Sequence, residues 1–265
     1  KCGGYIYTGE GQDIGQFWAE LNVGNVKVKK TTANEIVTNG NAMYSIAGAT
    51  FGIFSDQNCS NQIRTLTTNE NGDTNEVEVT VGNVYIKELS APKGYKLDTT
   101  VRSLKVEAGK TATLNVSDVP KVTETLVDLF KIDMETGKAT AQGNAALAGA
   151  EFTWHYYDGL YTKDNLPEKA TRTWVTKTVA EKDSDGNTHY MTKLTDAYKV
   201  SGDAFYTQNE KSVLPLGTLT VEEIKAPDGY LLDGAYMQAG DNTEQIKGMY
   251  LTQITEDGEL AVLSG

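Results

Sequence analysis

Two copies of one pattern dominate this chain: Glu88-Leu-Ser-Ala-Pro-Lys-Gly-Tyr95 and Glu223-Ile-Lys-Ala-Pro-Asp-Gly-Tyr230. Each copy begins at the end of an alternating apolar run, so that Val84 and Ile86 share one strand face with Glu88. Successive side chains of a strand point to opposite faces, and the glutamates therefore point with the apolar residues into a core. An unpaired ionised carboxylate there would be very costly. The pattern predicts that each glutamate is either neutral or partnered.

The composition indicates an all-β protein with room for two domains. The chain has 265 residues, and glycine, Thr, Val and Tyr recur through alternating runs while helix-period patterns are scarce. The formal net charge is −12 and the pI is about 4.7. Nucleic acids and anionic membranes both select a basic surface, so these partners are not expected.

A second alternating run ends in a lysine. Val26-Lys-Val-Lys-Lys30 places Lys30 on the face of the two valines. After the strand Ile46–Phe54, an Asn-Gly turn and the first glutamate, the runs 101–106 and 112–118 are predicted to form a hairpin around Ala108-Gly109. Asp118 ends the second of these runs on its apolar face.

The same order then repeats. Lys131 follows Lys30 by 101 residues, and Gly149 follows Gly48 by 101, but Glu223 follows Glu88 by 135. The second repeat therefore carries 34 additional residues between these landmarks, predicted at about 156–213. A repeat of this length indicates tandem domains.

We therefore divide the sequence into three parts: residues 1–23, the tail of a preceding domain or an added strand; 24–120, the first domain; and 121–265, the second. The chain begins at Lys1 and stops within a pattern, as expected for a piece of a longer protein. It contains no secretory signal, no membrane-length apolar run and no cell-wall sorting motif. Cys2 and Cys59 would be able to pair if the protein is extracellular.

In a Greek-key sandwich, strands that are far apart in sequence can be neighbours. The side chains of Lys30, Glu88 and Asp118 can therefore meet in the core. One interpretation is a buried salt bridge with a second carboxyl group beside it. The other is an amide bond between Lys30 and Asp118, because a neutral amine is a nucleophile and a protonated Glu88 would polarise the acceptor carboxyl. Spacing alone favours the salt bridge.

The motif order resembles a known family. Val-x-Val-x-Lys, Leu/Ile-Ala-Gly-Ala-x-Phe, Glu-x-x-Ala-Pro-x-Gly-Tyr and Val-Ser-Asp-Val-Pro are similar, over residues 24–265, to the Cna B-type or SpaA-type prealbumin-like domains of Gram-positive pilins and surface adhesins. The resemblance implies tandem Ig-like β-sandwiches and an intramolecular isopeptide bond. It makes Lys30 the nucleophile, Asp118 the acceptor and Glu88 the catalytic proton relay, with Asn115 as a weaker acceptor on the opposite face.

In the second domain the resemblance carries over only Lys131 and the catalytic Glu223. Leu260–Leu263 contains no Asn or Asp, so the acceptor either lies beyond Gly265 or is absent, and the last strand is expected to be truncated.

The resemblance implies a structural segment of a pilin or adhesin stalk. Such a protein would be extracellular and anchored to the cell wall of a Gram-positive bacterium. It would not be a turnover enzyme, would need no cofactor or metal, and would have neighbouring domains or subunits as partners. The alternative is an adhesive module that binds a host glycan or matrix protein through the insertion.

Three weaker candidates lie in the insertion and beside it. The rings of Trp154, Tyr156, Tyr157 and Tyr161 would serve as a sugar-binding face, although such rings are more often core residues. His155 is expected to be exposed, and residues 183–187 resemble a calcium loop only faintly and fit a hairpin turn better.

Overall fold

The computed structural model describes residues 2–7, 13–19, 22–123, 127–233, 235–239, 244–255 and 260–262, with only the backbone for 2–7, 13–19 and 260–262. The described chain is almost entirely β-structure, which confirms the all-β prediction. It divides into two compact units, Lys1–Ala33 with Ser45–Asp118, and Asn34–Tyr44 with Val119–Gly265.

The described residues of the first unit form nine strands: β1 (Cys2–Tyr7), β2 (Asp13–Ala19), β3 (Val23–Thr32), β4 (Thr50–Phe54), β5 (Gln62–Thr67), β6 (Val77–Thr80), β7 (Gly82–Ser90), β8 (Arg102–Val106) and β9 (Thr111–Asp118). Strands β1 and β2 form an antiparallel hairpin. The other seven form two sheets, in the orders β6-β3-β9 and β5-β4-β7-β8.

The core of the first unit lies between these two sheets. Val26 and Val28 of β3 are fully buried against Phe51 and Ile53 of β4 and Ile86 of β7. Strand alternation therefore acts as predicted, because the same parity that buries these residues also directs Lys30 and Glu88 inward.

The predicted hairpin of residues 101–106 and 112–118 is wrong. Strand β8 pairs with β7, whereas β9 crosses to the other sheet and pairs in parallel with β3. Gly24 permits the crossing, because a Cβ atom there would lie 2.3 Å from the carbonyl oxygen of Glu107. The loop instead bonds to β3, through the amide of Asn25 to Lys110 O at 2.8 Å and the amide of Gly109 to Val23 O at 2.8 Å.

The second unit contains the short helix α1 (Glu35–Thr38) and fourteen described strands. These are β10 (Val122–Thr123), β11 (Leu129–Phe130), β12 (Glu151–Tyr157), β13 (Arg172–Lys177), β14 (Val179–Lys182), β15 (Thr188–Thr192), β16 (Lys199–Gly202), β17 (Tyr206–Gln208), β18 (Lys211–Pro215), β19 (Gly217–Lys225), β20 (Tyr236–Met237), β21 (Ile246–Lys247), β22 (Tyr250–Ile254) and β23 (Leu260–Val262).

These strands form a six-stranded sheet, β16-β13-β12-β19-β22-β23, two three-stranded sheets, β11-β15-β14 and β10-β18-β17, and the pair β20-β21. The central strands correspond to those of the first unit: β7 and β19 each have nine residues, begin at a glycine and carry the repeated glutamate. Phe152, Trp154 and Tyr156 of β12 are buried as their alternation predicts.

The additional residues of the second repeat occupy two places. Thr68 and Thr178 hold identical positions, since each hydroxyl donates to a carbonyl 22 or 31 residues earlier and accepts the amide of Ala49 or Ala150 at 3.0 Å. The offset between repeats thus rises from 101 at Gly48 and Gly149 to 110 at these threonines, and reaches 135 only at the glutamates. Most of the insertion therefore follows Thr178, where it forms β14 to β18.

Candidate functional site

The site of the first unit starts with a fully buried lysine. Lys30 has no exposed surface. It lies near the end of β3, which is the central strand of its sheet, with β6 on one side and β9 on the other. The burial follows from the alternation with Val26 and Val28, and it places an amine in the core, where it requires compensating partners.

The first partner comes from the neighbouring parallel strand. Asp118 ends β9 opposite Thr32, points into the core, and is 2% exposed. Its Oδ2 atom is in ion-pair contact with Nζ of Lys30 and has no hydrogen-bond partner among the described residues. Asn115 pairs with Lys29 and is exposed, so the weaker acceptor candidate lies outside this cluster.

The second partner comes from the facing sheet. Glu88 on β7 is 2% exposed, and its Oε1 accepts a hydrogen bond from Nζ of Lys30. Its Oε2 accepts the backbone amide of Asp98 at 2.8 Å, which fixes the carboxyl group. The ring of Phe51 lies 5.1 Å from the same amine and closes the apolar side of the cluster. The structure thus brings together the three side chains that strand alternation predicted to point into the core. Their proposed chemical roles remain a prediction.

The protonation of Glu88 is set mainly by its burial. Burial raises the pKa of this carboxyl group above its ordinary value, although the hydrogen bonds from Lys30 and Asp98 act in the opposite direction. The nearby carboxylate of Asp118 raises the pKa further. Glu88 therefore keeps its proton to a higher pH than an exposed glutamate, as a buried proton donor requires.

The corresponding site of the second unit has two members rather than three. Nζ of Lys131, just after β11, donates to both carboxylate oxygens of Glu223, at 2.8 and 2.6 Å. The two side chains are 16% and 11% exposed. Within the described residues no other acid is in ion-pair contact with Lys131, and β11 pairs only with β15. Strand β23 pairs with β22 instead of with β11.

The sequence patterns did not single out Asp133, a buried acid close to this site. Asp133 is 1% exposed and accepts hydrogen bonds from the hydroxyl of Tyr230 at 2.6 Å, the amide of Thr136 at 2.7 Å and the side chain of Gln142 at 3.1 Å. These bonds, foremost that from Tyr230, hold the pKa of Asp133 well below its usual range. Strand alternation could have indicated its burial, because Asp133 lies two residues after Lys131 and would share its face on a strand. The contact also explains one tyrosine of the repeated pattern.

The remaining candidates do not form sites. Trp154 and Tyr156 are fully buried and Tyr157 is 6% exposed, so these rings are core residues and cannot form a sugar-binding face. His155 is half-buried rather than exposed, and burial lowers its pKa. Asp183 accepts the amide of Asn187 at 2.8 Å in the turn between β14 and β15, as expected for a hairpin.

Cys59 is half-buried, and the side chain of Cys2 lies outside the described residues, so the pairing of the two cysteines stays a prediction. Among the described residues, no cluster of His, Cys, Asp and Glu side chains is arranged to hold a metal ion. In the same part of the chain, no helix has the length and apolar character needed to cross a bilayer.

Comparison with known proteins identifies the family. The sequence profile of the SpaA prealbumin-like fold domain matches residues 24–120 and 132–247. The trypsin-resistant surface T6 protein of Streptococcus pyogenes serotype M6 is 35% identical over 88 residues, which are 30% of this chain and 16% of that protein.

Solved structures with a similar fold include the Bacillus anthracis TIE protein, with a TM-score of 0.52 and 23% identity over 90% of this chain and 32% of that chain. The C-terminal fragment of the pilus adhesin SpaC from Lactobacillus rhamnosus GG has a TM-score of 0.43 and 18% identity, over 89% of this chain and 84% of that chain. This chain spans less than a third of the T6 and TIE proteins. On the evidence of the two matched repeats, the chain belongs to the family of SpaA-type prealbumin-like fold domains.

Proposed function

We propose that this chain is a load-bearing segment of a Gram-positive cell-surface protein, either a pilin or an adhesin stalk, whose first unit closes itself with a Lys30–Asp118 isopeptide bond. The observation that carries the proposal is the buried contact of the Lys30 amine with two carboxyl groups, that of Asp118 on the parallel neighbour β9 and that of Glu88 on β7 of the facing sheet. The surface-protein and pilus-adhesin relatives support the extracellular location and suggest neighbouring domains or subunits as partners.

The reaction is a condensation within the core. A proton passes from the ammonium of Lys30 to a carboxylate, and the neutral Nζ attacks Cγ of Asp118. Protonated Glu88 donates a hydrogen bond to the acceptor oxygen and stabilises the negative charge that develops there. The tetrahedral intermediate then loses one hydroxyl group together with a proton, as water, and an amide remains.

The close placement of the amine and the carboxyl group accounts for most of the expected reaction rate. Groups held in contact react with effective molarities on the order of 10⁵ M or more, so no external energy source is needed. Burial further favours the product, since the ion pair of Lys30 and Asp118 becomes a neutral amide, which costs less to desolvate than two charges. The event occurs once in each chain and is not enzymatic turnover.

The crosslink would act as a permanent mechanical and thermodynamic restraint. It closes a loop of nearly ninety residues between Lys30 and Asp118, which by the loop-entropy relation for crosslinks is worth about 4–5 kcal/mol. Unlike a disulfide, the bond is indifferent to reductants. A chain that enters at β3 and leaves after β9 would pass tension through this bond rather than through the strands between them.

Intact mass of the purified full chain tests the proposal. The wild-type chain is expected to be lighter than its sequence by one water molecule, and Glu88→Gln, which cannot relay a proton, is expected to have its full mass. The control is Glu78→Gln, at an exposed position of β6, which should still lose one water. A wild-type chain at its full mass would contradict the proposed bond. Loss of water that persists in Glu88→Gln would contradict the proposed role of Glu88.

A further inference from the structure

The segment of residues 34–44, here named the clasp segment, lies in the sequence between β3 and β4 of the first unit, yet belongs by its contacts to the second. We propose that the clasp segment is an intramolecular ligand that completes the second unit, and that the surface around Leu216 is its receptor. This inference is independent of the isopeptide bond. It assigns an interaction surface to a part of the chain that carries no repeated motif.

Leu216 explains why the second unit needs a partner here. The residue has no exposed surface and lies between the end of β18 at Pro215 and the start of β19 at Gly217, where the chain passes from one sheet to another. Its amide and carbonyl therefore have no partner in either ladder. A buried backbone group without a hydrogen bond costs about 1–3 kcal/mol, so both groups require partners from elsewhere.

The clasp segment provides these partners. The hydroxyl of Tyr44 accepts the amide of Leu216 at 2.9 Å and donates to the carbonyl of Lys121 at 2.6 Å. The side-chain amide of Asn41 donates to the carbonyl of Leu216 at 3.0 Å and to the hydroxyl of Tyr156 at 2.9 Å. Tyr156 donates in turn to the same carbonyl at 2.7 Å, which completes a buried polar network.

Apolar burial and an edge contact add to this network. Val37 is 2% exposed and Met43 8%, although both lie in a segment of only eleven residues. The side-chain amide of Asn34 donates to the carbonyl of Thr207 at 2.8 Å. Thr207 belongs to β17, one of the two edge strands of its sheet, so this bond covers part of that edge.

The local sequence fits a bound ligand better than a free loop. Asn34 also accepts the amide of Val37 at 3.4 Å and so caps the single turn α1. Because the clasp segment is tethered at Ala33 and Ser45, its effective concentration at the receptor is high, and modest contacts suffice to keep it bound.

Hydrogen exchange of the full chain, read by mass spectrometry, tests the inference. In Tyr44→Phe the amide of Leu216 loses its acceptor, and in Asn41→Ala its carbonyl and the hydroxyl of Tyr156 lose a donor. Each variant is expected to exchange at least about tenfold faster in peptides that cover β18, Leu216 and the start of β19, while the first unit keeps its protection. The matched control is Ala42→Ser, at an exposed position of the same segment.

A second experiment uses the ligand itself. Residues 35–43 are replaced by a Gly-Ser linker of equal length, and a synthetic peptide of residues 34–44 is then added. The exchange around Leu216 should rise in the replaced chain and fall again as the peptide saturates. The inference is overturned if the replaced chain retains wild-type protection without the peptide, or if the point variants change exchange only within residues 34–44.

Discussion

Lys30 shows how one residue determines the chemistry of the first unit. A fully buried ammonium is tolerated only with close acidic partners, and removal of one member of such a cluster typically costs about 3–5 kcal/mol. Asp118 from the adjacent strand and Glu88 from the facing sheet provide those partners. With one cation and two acids, the cluster is neutral only when one carboxyl is protonated, and burial of Glu88 raises its pKa in that direction.

The acceptor of the proposed bond is tested by Asp118→Asn. A carboxamide at the same place would present the same carbon to Nζ of Lys30, with ammonia as the leaving group. We expect this variant to be lighter than its own sequence by one ammonia molecule in the intact mass spectrum. Asn115→Asp, on the exposed face of β9, serves as control and should still lose one water. A second water lost from the control would mean that the face opposite the cluster also reacts.

The hydrogen bond from Tyr230 to Asp133 makes the stability of the second unit depend on pH. The pKa of Asp133 is lowered in the folded state, so its contribution is complete above the unfolded value of about 3.9 and declines as the pH falls toward the folded value. Tyr230→Phe should lower the midpoint of urea unfolding at neutral pH, and the difference from wild type should shrink below pH 4. Equal differences at pH 7 and pH 3 would contradict this origin.

At the scale of elements, the passage of β9 to the sheet of β3 creates the site. If β9 had paired with β8, Asp118 would lie in the sheet of Glu88 and not on the strand next to Lys30. Residue parity predicted that the three side chains point inward but gave no information on sheet membership, because an alternating run has the same pattern in either sheet.

Gly24 provides a test of this crossing. A Cβ atom at this position would meet the carbonyl oxygens of Glu107 and Lys110 at 2.3 and 2.9 Å, and backbone atoms cannot move aside cheaply. Gly24→Val should destabilise the first unit by about 1–3 kcal/mol and slow the loss of water, as β9 is displaced from β3. Mass and urea unfolding give the readout, with Thr113→Ala, at an exposed position of β9, as control. A normal rate of water loss would show that the close approach is not required.

The elements that the sequence did not predict share a physical cause. The clasp segment has no alternation, and Asn41 and Tyr44 bond to Tyr156 and Leu216, which lie more than a hundred residues further along the chain. Asp133 resembles an ordinary turn residue until Tyr230 is brought to it by the fold. By contrast, the two repeated patterns and the inward lysines were predictable, because they depend only on local parity and on spacing within the chain.

At the scale of the whole molecule, the two units are expected to respond differently to unfolding. In the first unit Lys30 contacts Asp118, the proposed acceptor, whereas in the described part of the second unit Lys131 contacts only Glu223 among the acids. A crosslink worth about 4–5 kcal/mol would lower the unfolded population by about a thousandfold. Thermolysin at raised temperature should therefore digest the second unit first and leave a fragment that contains β3 to β9.

Lys30→Met distinguishes this restraint from ordinary packing. The variant lacks the bond, so its first unit should be digested on the time scale of the second. The matched variant Lys131→Met should leave the lifetime of the first unit unchanged. Equal lifetimes of the first unit in wild type and Lys30→Met would mean that no covalent restraint operates there.

The most direct measurement is sequencing by tandem mass spectrometry of a proteolytic digest of the wild-type chain. We expect one branched species in which the peptide containing Lys30 is joined to the peptide containing Asp118, with the mass of both minus one water and with fragment ions that place the junction on these two residues. Recovery of the two peptides separately, each at its full mass, would contradict the central claim.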